Sequence, residues 1–316
     1  MKERILSGIR ATGRLHIGNY LGALKQFVEL QDAGNHECYF FIADLHALTT
    51  PFEPKTLTEN TLQVAADYLA AGIDPEKSTF FLQSQVLEHA ELAWIFNSLT
   101  PLGELQRMTQ FKDKSKDQKD SINGGLLTYP TLMAADILIY KPTMVPVGED
   151  QVQHIELTRD IAKKFNNRFG ETFPVPKTFE QKPLRIMSLT DPTKKMSKTG
   201  DEALMLDDSP EEILRKLKKA VTATDAKEGS AGVDNLKLLL EQFKATDKVS
   251  DISKYSEVKE VLAKVIADYF KDFREKKAKL MQNPEQIKSI LNAGAVKAQK
   301  VAAQTLGEVK QKLGFI

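Results

Sequence analysis

The strongest constraint on the fold is an alternation of strand and helix patterns that stops part-way along the chain. Short apolar, β-branched or aromatic runs at residues 5–9, 39–43, 79–82, 144–147 and 184–187 are long enough for buried strands and too short for helices. Between them, residues 18–31, 58–71, 88–98, 126–140 and 151–165 repeat apolar positions at three- and four-residue spacing, the pattern of amphipathic helices. Apolar strands separated by helices predict a parallel sheet covered on both faces, hence a doubly wound α/β fold. Such sheets bind ligands beyond the carboxyl ends of their strands. Further on the strand signals cease, and residues 210–221, 235–243, 256–282 and 284–313 read as helices. Pro210 and Pro284 fall in first turns, behind Ser209 and Asn283 as caps. The polar stretch 224–232 reads as a mobile loop.

Composition narrows the class without naming a function. With 41% hydrophobic and 28% charged residues, the chain is that of an ordinary globular protein of up to two domains. No apolar run is long enough to span a bilayer, and Met1-Lys2-Glu3-Arg4 leads into a strand pattern, so a cytoplasmic location is expected. Cys38 is the single cysteine, which excludes an internal disulfide and a cysteine-rich zinc site. The net charge of +1 divides into −3 for residues 1–204 and +4 for residues 205–316, a slight basic lean in the helical part.

Two segments carry the chemistry. Gly8-Ile9-Arg10-Ala11-Thr12-Gly13 closes the first strand in a glycine-bounded turn, and Gly13-Arg14-Leu15-His16-Ile17-Gly18-Asn19 opens the next helix. Small residues admit close backbone approach, and a helix N-terminus offers free N–H groups and positive potential, so a phosphate fits there with His16 and Asn19 as donors. Far along the chain, Lys194-Lys195-Met196-Ser197-Lys198-Thr199 places cations around a hydroxyl residue on a polar loop. Alone, the first would be a strand-turn-helix with incidental polar residues and the second a solvated surface. Together they suggest a site that grips a nucleoside triphosphate from two sides.

These two segments resemble the "HIGH" and "KMSKS" signatures of class I aminoacyl-tRNA synthetases. The sequence between them is similar to that of bacterial tryptophanyl-tRNA synthetases. The resemblance is carried by residues 104–112, 125–138, 145–156 and 191–198, in the family's order, and runs from about residue 5 to 222 and more diffusely to the end.

The resemblance implies a Rossmann-like catalytic domain over residues 1–190 with an inserted helical dimerisation segment. Residues 191–316 would hold the lysine loop and an all-α anticodon-binding domain, whose last helix packs back on the catalytic domain. It implies ATP with Mg²⁺ carried by the phosphates, without a protein metal site, and L-tryptophan, tRNA(Trp) and a second copy of the chain as partners. Asp136 matches the carboxylate that accepts the indole N–H. On one helix face Tyr129, Met133 and Asp136 would stand together, four and three residues apart. Leu6, His46, Val145, Val147, Gln110 and Gln151 match other positions of the tryptophan pocket.

His16, Asn19, Lys114, Lys195 and Lys198 match catalytic positions. Arg10, Ala11, Thr12, Gly18, Gly148, Glu149, Asp150, Ile186, Met187, Met196 and Ser197 match the ATP side, together with Asn19, Lys195 and Lys198. The chain departs from the pattern where Arg10 stands for an uncharged residue, Leu6 for an aromatic one, and Thr199-Gly200 for a serine followed by Asp-Pro. A tyrosyl-tRNA synthetase, a small-molecule nucleotidylyltransferase and a non-enzymatic regulatory paralogue are the competing readings. The Tyr129–Met133–Asp136 face speaks against the first, the helical C-terminal part against the second, and retention of His16, Asn19, Lys195 and Lys198 against the third.

Overall fold

The computed structural model describes residues 2–117, 122–146, 148, 151–178, 184–198, 200–222 and 230–315, without the side chains of Lys114, Lys116, Asp117 and Thr178. The first part runs β1 (Glu3–Arg10), α1 (Ile17–Asn19), a π turn (Tyr20–Leu24), α2 (Lys25–Ala33), β2 (His36–Ala43), α3 (Pro54–Ala71), β3 (Thr79–Leu82) and α4 (Glu88–Leu99). It continues through α5 (Leu102–Arg107), α6 (Thr109–Asp117), α7 (Gly124–Leu138), β4 (Met144–Val145), α8 (Val152–Phe169) and β5 (Lys177–Thr178). Helices then take over: α9 (Pro210–Lys219), α10 (Ala231–Gln242), α11 (Tyr255–Tyr269), α12 (Lys271–Gln282) and α13 (Pro284–Leu313).

The strands form one parallel sheet in the order β3-β2-β1-β4-β5. Its two faces are legible in β2, where side chains alternate sides. Cys38, Phe40 and Ile42 enter one apolar core with Phe27, Tyr68 and Phe80. Tyr39, Phe41 and Ala43 enter the other with Phe81, Phe96, Tyr140 and Val145. Burying a Phe or Leu side chain of this kind stabilises by roughly 1.5–3 kcal/mol, so neither face tolerates a polar substitution. The chain leaves β1 toward β2 and β3 on one side and reaches β4 and β5 on the other. The switch between β1 and β4 therefore opens a crevice at their carboxyl ends, Arg10 and Val145.

The last helix belongs to the sheet. Ala295, Ala298, Ala302, Leu306 and Val309 of α13 complete the second core. Gly294 lies so close to edge strand β3 that a Cβ there would sit 1.8 Å from the Phe80 carbonyl oxygen. A helix laid on an edge strand also blocks edge-to-edge pairing.

Four expectations need correction. Residues 184–187 do not join the sheet; Met187 instead bridges Lys195 in antiparallel sense, and the two-residue β5 takes the place beside β4. The apolarity of 184–187 serves packing, since Ile186 is buried in the first core. The stretch 256–282 is two helices, broken at Phe270, whose ring is wedged against Tyr20, Phe243, Tyr269 and Phe273 at 4.9–6.0 Å. Ser209 caps α9 by accepting the Glu212 N–H at 3.2 Å, whereas Asn283 makes no side-chain cap bond among the described residues. Of the polar stretch 224–232, residues 223–229 lie outside the described residues, and Ala231 and Gly232 already belong to α10.

Candidate active site

The turn after β1 is held by its own side chains. Asn19 Oδ1 accepts the His16 N–H at 3.1 Å, which fixes the start of α1. His16 is buried, and its Nδ1 has no hydrogen-bond partner among the described residues. Gly18 makes room for it, because a Cβ at that position would come within 2.9 Å of the His16 ring. Burial, together with the Lys198 and Lys195 charges, pulls the imidazole down to about 4, so it is neutral at pH 7. A neutral imidazole with an unused buried nitrogen is a hydrogen-bonding group waiting for a ligand.

The lysine segment meets this turn directly. The Met196 N–H bonds the Ile186 carbonyl at 3.0 Å and the Ser188 N–H bonds the Lys194 carbonyl at 2.9 Å, forming a short hairpin. Beyond it, the Ile17 N–H reaches the Leu204 carbonyl and the Leu206 N–H reaches the Leu15 carbonyl, both at 2.9 Å. Lys198 Nζ then lies over the first turn, donating to the Thr12 carbonyl (3.2 Å), Thr12 Oγ1 (3.0 Å) and the Gly13 carbonyl (2.9 Å). Burial lowers its ammonium to about 8. Lys195 is exposed, and Ser197 Oγ donates to the Glu202 carboxylate.

Ala11, Ile186 and Met196 are buried in the core, so from these positions only the backbone could meet a nucleotide. The Met187 N–H and carbonyl are both taken by the Asn235 side chain of α10, at 3.0 Å each. Asn235 is a clamp that the sequence did not flag.

At the carboxyl ends of β1 and β4, reaching from the π turn and α2 (Leu21, Gly22, Gln26) across to α7, lies a cavity of about 550 Å³, within the range of small-molecule sites. Leu6, His46, Gln110, Tyr129, Met133, Asp136, Val145 and Gln151 all line it, as do Arg10 and Gly148. Val147, Glu149, Asp150 and Thr199 lie outside the described residues, as does the Lys114 side chain. Arg10 leans toward His46 and Thr50: its Nη2 donates to the His46 carbonyl at 3.2 Å and Thr50 Oγ1 at 3.4 Å, while its buried Nε has no partner among the described residues. Burial lowers the Arg10 pKa.

Asp136 is the centre of this cavity wall. Its Oδ1 accepts Gln83 Nε2–H at 2.7 Å and the His89 Nδ1–H at 2.6 Å, and its Oδ2 takes the His46 Nε2–H at 2.7 Å. Tyr140 Oη backs His89 at 2.7 Å. Burial alone would raise the carboxyl, but the hydrogen bonds from His46 and His89 outweigh it and hold the group at about 2. A carboxylate offers about four acceptor positions, and three are used, so Oδ2 can still accept one N–H from the cavity. Gln83 and His89 were missed by sequence reasoning. The available signal was weak: Gln83 directly follows the carboxyl end of β3, and His89 is a buried polar residue in an apolar helix. Tyr129 stands edge-on to His46 at 6.2 Å and its hydroxyl meets His154 Nε2 at 2.9 Å.

Residues 2–286 match the family model described as tRNA synthetases class I (W and Y). This chain belongs to that family. A tryptophan–tRNA ligase of Caldanaerobacter subterraneus subsp. tengcongensis is 47% identical over 328 residues, covering 99% of each chain. Tryptophan–tRNA ligase 2 of Streptomyces avermitilis is 46% identical over 331 residues, covering 100% of this chain and 98% of the relative. The crystal structure of a tryptophanyl-tRNA synthetase from Campylobacter jejuni, complexed with ADP and tryptophan, superposes with a TM-score of 0.88 at 36% identity, covering 99% of this chain and 100% of that one. The synthetase fold thus extends over the whole length, α13 included. Among its described residues no helix is long and apolar enough to cross a membrane, and no group of three or more His, Cys, Asp or Glu could hold a metal ion.

Proposed function

We propose that this chain is a tryptophan–tRNA ligase that activates L-tryptophan with ATP and passes it to tRNA(Trp). The observation that carries the reading is Asp136, a buried, ionised carboxylate with one acceptor position left over on a cavity wall. A buried acceptor selects a ligand with an N–H at that point, because a ligand without one leaves the carboxylate short of a partner. The full-length similarity to tryptophan–tRNA ligases supports the same substrate.

In the first step a tryptophan carboxylate oxygen attacks the α-phosphorus of ATP, forming tryptophanyl-adenylate and releasing pyrophosphate. In the second, a hydroxyl of the terminal ribose of tRNA takes the tryptophanyl group and AMP leaves. No protein nucleophile is required. His16, with its unpartnered Nδ1, and the Lys195 and Lys198 ammonium groups supply donors and charge for the phosphates. Lys198 must exchange its carbonyl partners for phosphate oxygens as ATP enters. The same donor set would suit a triphosphate carrying Mg²⁺, and such an ion would spread the phosphate charge.

Residues 1–190 form the catalytic domain in this reading, and 191–316 contribute the lysine loop and the anticodon-binding helices. The chain works in the cytoplasm as a homodimer. Exposed Leu87, Trp94, Leu102 and Ile122, in the segment inserted between β3 and α7, support a partner surface there. ATP–pyrophosphate exchange with each amino acid in turn tests the substrate. Tryptophan alone should drive exchange; exchange driven by tyrosine and not by tryptophan would overturn the assignment.

A further inference from the structure

A buried ionic cluster lies behind the ATP-side turn, apart from the cavity. Lys277, on α12, is buried and pairs with Asp67 of α3 at 2.6 Å and with Asp207 at 2.8 Å. The second oxygen of Asp67 accepts the Leu15 N–H at 2.9 Å, one residue before His16. Asp207 holds Arg14 Nε at 2.7 Å, and Asp208 holds Arg14 Nη2 at 2.9 Å. Asp208 in turn receives Lys216 of α9 at 2.7 Å and the Met205 N–H at 2.9 Å. Three cations and three carboxylates therefore balance one another across four separate parts of the chain.

The arrangement is asymmetric in a telling way. Arg14 and Asp207 are partly exposed, while Asp67 and Lys277 are almost fully buried. A buried pair of this kind contributes little net stability compared with an apolar pair, so stability alone is a poor reason for it. What it does supply is direction. Asp67 can hold the Leu15 N–H and Lys277 at the same time, and so it fixes the backbone that leads into His16 from the far side of the molecule.

We propose that Lys277 is a positioning residue for the adenylate-forming step: through Asp67 and the Leu15 N–H it places the His16 imidazole at the ATP phosphates. Lys277 touches neither ATP nor tryptophan. It sets how firmly the turn from Arg14 to His16 is seated, and links that seating to α12 of the helical C-terminal part. Lys198, which lies on the same turn, feels the charges of Asp67 and Lys277 as well. This inference rests on the proposed ATP chemistry of His16, and its test carries a readout independent of activity.

The variants are Lys277→Met, Lys277→Arg and Asp67→Asn, the last keeping an acceptor for the Leu15 N–H while removing the charge that Lys277 answers. In ATP–pyrophosphate exchange, run with whichever amino acid the wild type uses, Lys277→Met should lower kcat by roughly 10- to 100-fold, as small misplacements of a catalytic group do. Its KM for the amino acid should stay unchanged. Lys277→Arg should recover most of the rate, and Lys277→Met added to Asp67→Asn should cost little beyond Asp67→Asn alone. Without any substrate, the NMR signal of the His16 ring should shift in Lys277→Met and Asp67→Asn and return toward wild type in Lys277→Arg. An unmoved His16 signal would overturn the proposal, as would kcat and amino-acid KM worsening in proportion to lost thermal stability. Exchange driven by an amino acid other than tryptophan would fault the substrate assignment and leave the Lys277 result readable.

Discussion

His16 makes the ligand-free fold sensitive to acid by an amount that follows from its surroundings. The free imidazole value is 6.5, and burial plus the two lysine charges bring it to about 4 in the fold. Between these values the unfolded chain binds a proton that the native state refuses, so stability rises with pH across the window and falls as pH drops through it. Above pH 6.5 the effect vanishes. At pH 5 the linkage integrates to about 2 kcal/mol of destabilisation, a sizeable part of an ordinary protein's margin. Replacing His16 with Gln removes the titrating group while keeping a polar side chain. The difference in unfolding free energy between wild type and His16→Gln should therefore change by about 2 kcal/mol between pH 7 and pH 5, the variant gaining at the lower pH. Urea unfolding followed by far-ultraviolet circular dichroism gives both numbers. A wild-type-to-variant difference equal at both pH values would refute the argument, and so would an NMR titration of His16 with a midpoint near 6.5.

Two further outcomes are expected. Asp136→Asn points an amide N–H₂ at a site where Gln83, His46 and His89 all converge as donors, so at least one buried group loses its partner at about 1–3 kcal/mol. The KM for tryptophan in pyrophosphate exchange should rise by roughly 100-fold, and an unchanged KM would remove Asp136 from substrate recognition. Gly294→Ala drives a methyl into the Phe80 carbonyl and should destabilise by about 1–3 kcal/mol, whereas Gly307→Ala on the same helix meets nothing within 4 Å and should be neutral or stabilising. Equal melting temperatures for the two would mean that α13 is not seated on β3 as described.

The sheet was legible wherever a run of apolar residues had to fill both cores, as in residues 39–43, because burial on both faces demands such a run. It was illegible at Lys177–Thr178, where two residues suffice to extend the sheet and carry no apolar signature. The apolar run at 184–187 misled for the opposite reason: a loop that underlies a core needs the same side chains as a strand. The glycine-bounded turn and the lysine segment were both readable as local patterns, and the structure brings Lys198 onto Thr12 and Gly13. The partners of Asp136 were not, since Gln83, just beyond β3, and His89, on α4, become neighbours of that carboxylate only when those elements pack against α7. Lys277 was the least visible residue of all. In a helix of several lysines nothing local marks the one that tertiary packing buries against Asp67.

The seating of α13 on β3 also sets a timetable for synthesis. β3 ends at Leu82, while the helix that covers it begins at Pro284. At about 5–20 residues per second, a ribosome takes roughly 10–40 s to make the intervening chain. During that interval the strands already made, joined by β4 and β5 only after residue 178, have the backbone of β3 uncovered and the second core lacks Ala298, Ala302 and Leu306. The nascent first half is consequently a sticky folding intermediate, and this interval is when a chaperone has something to hold.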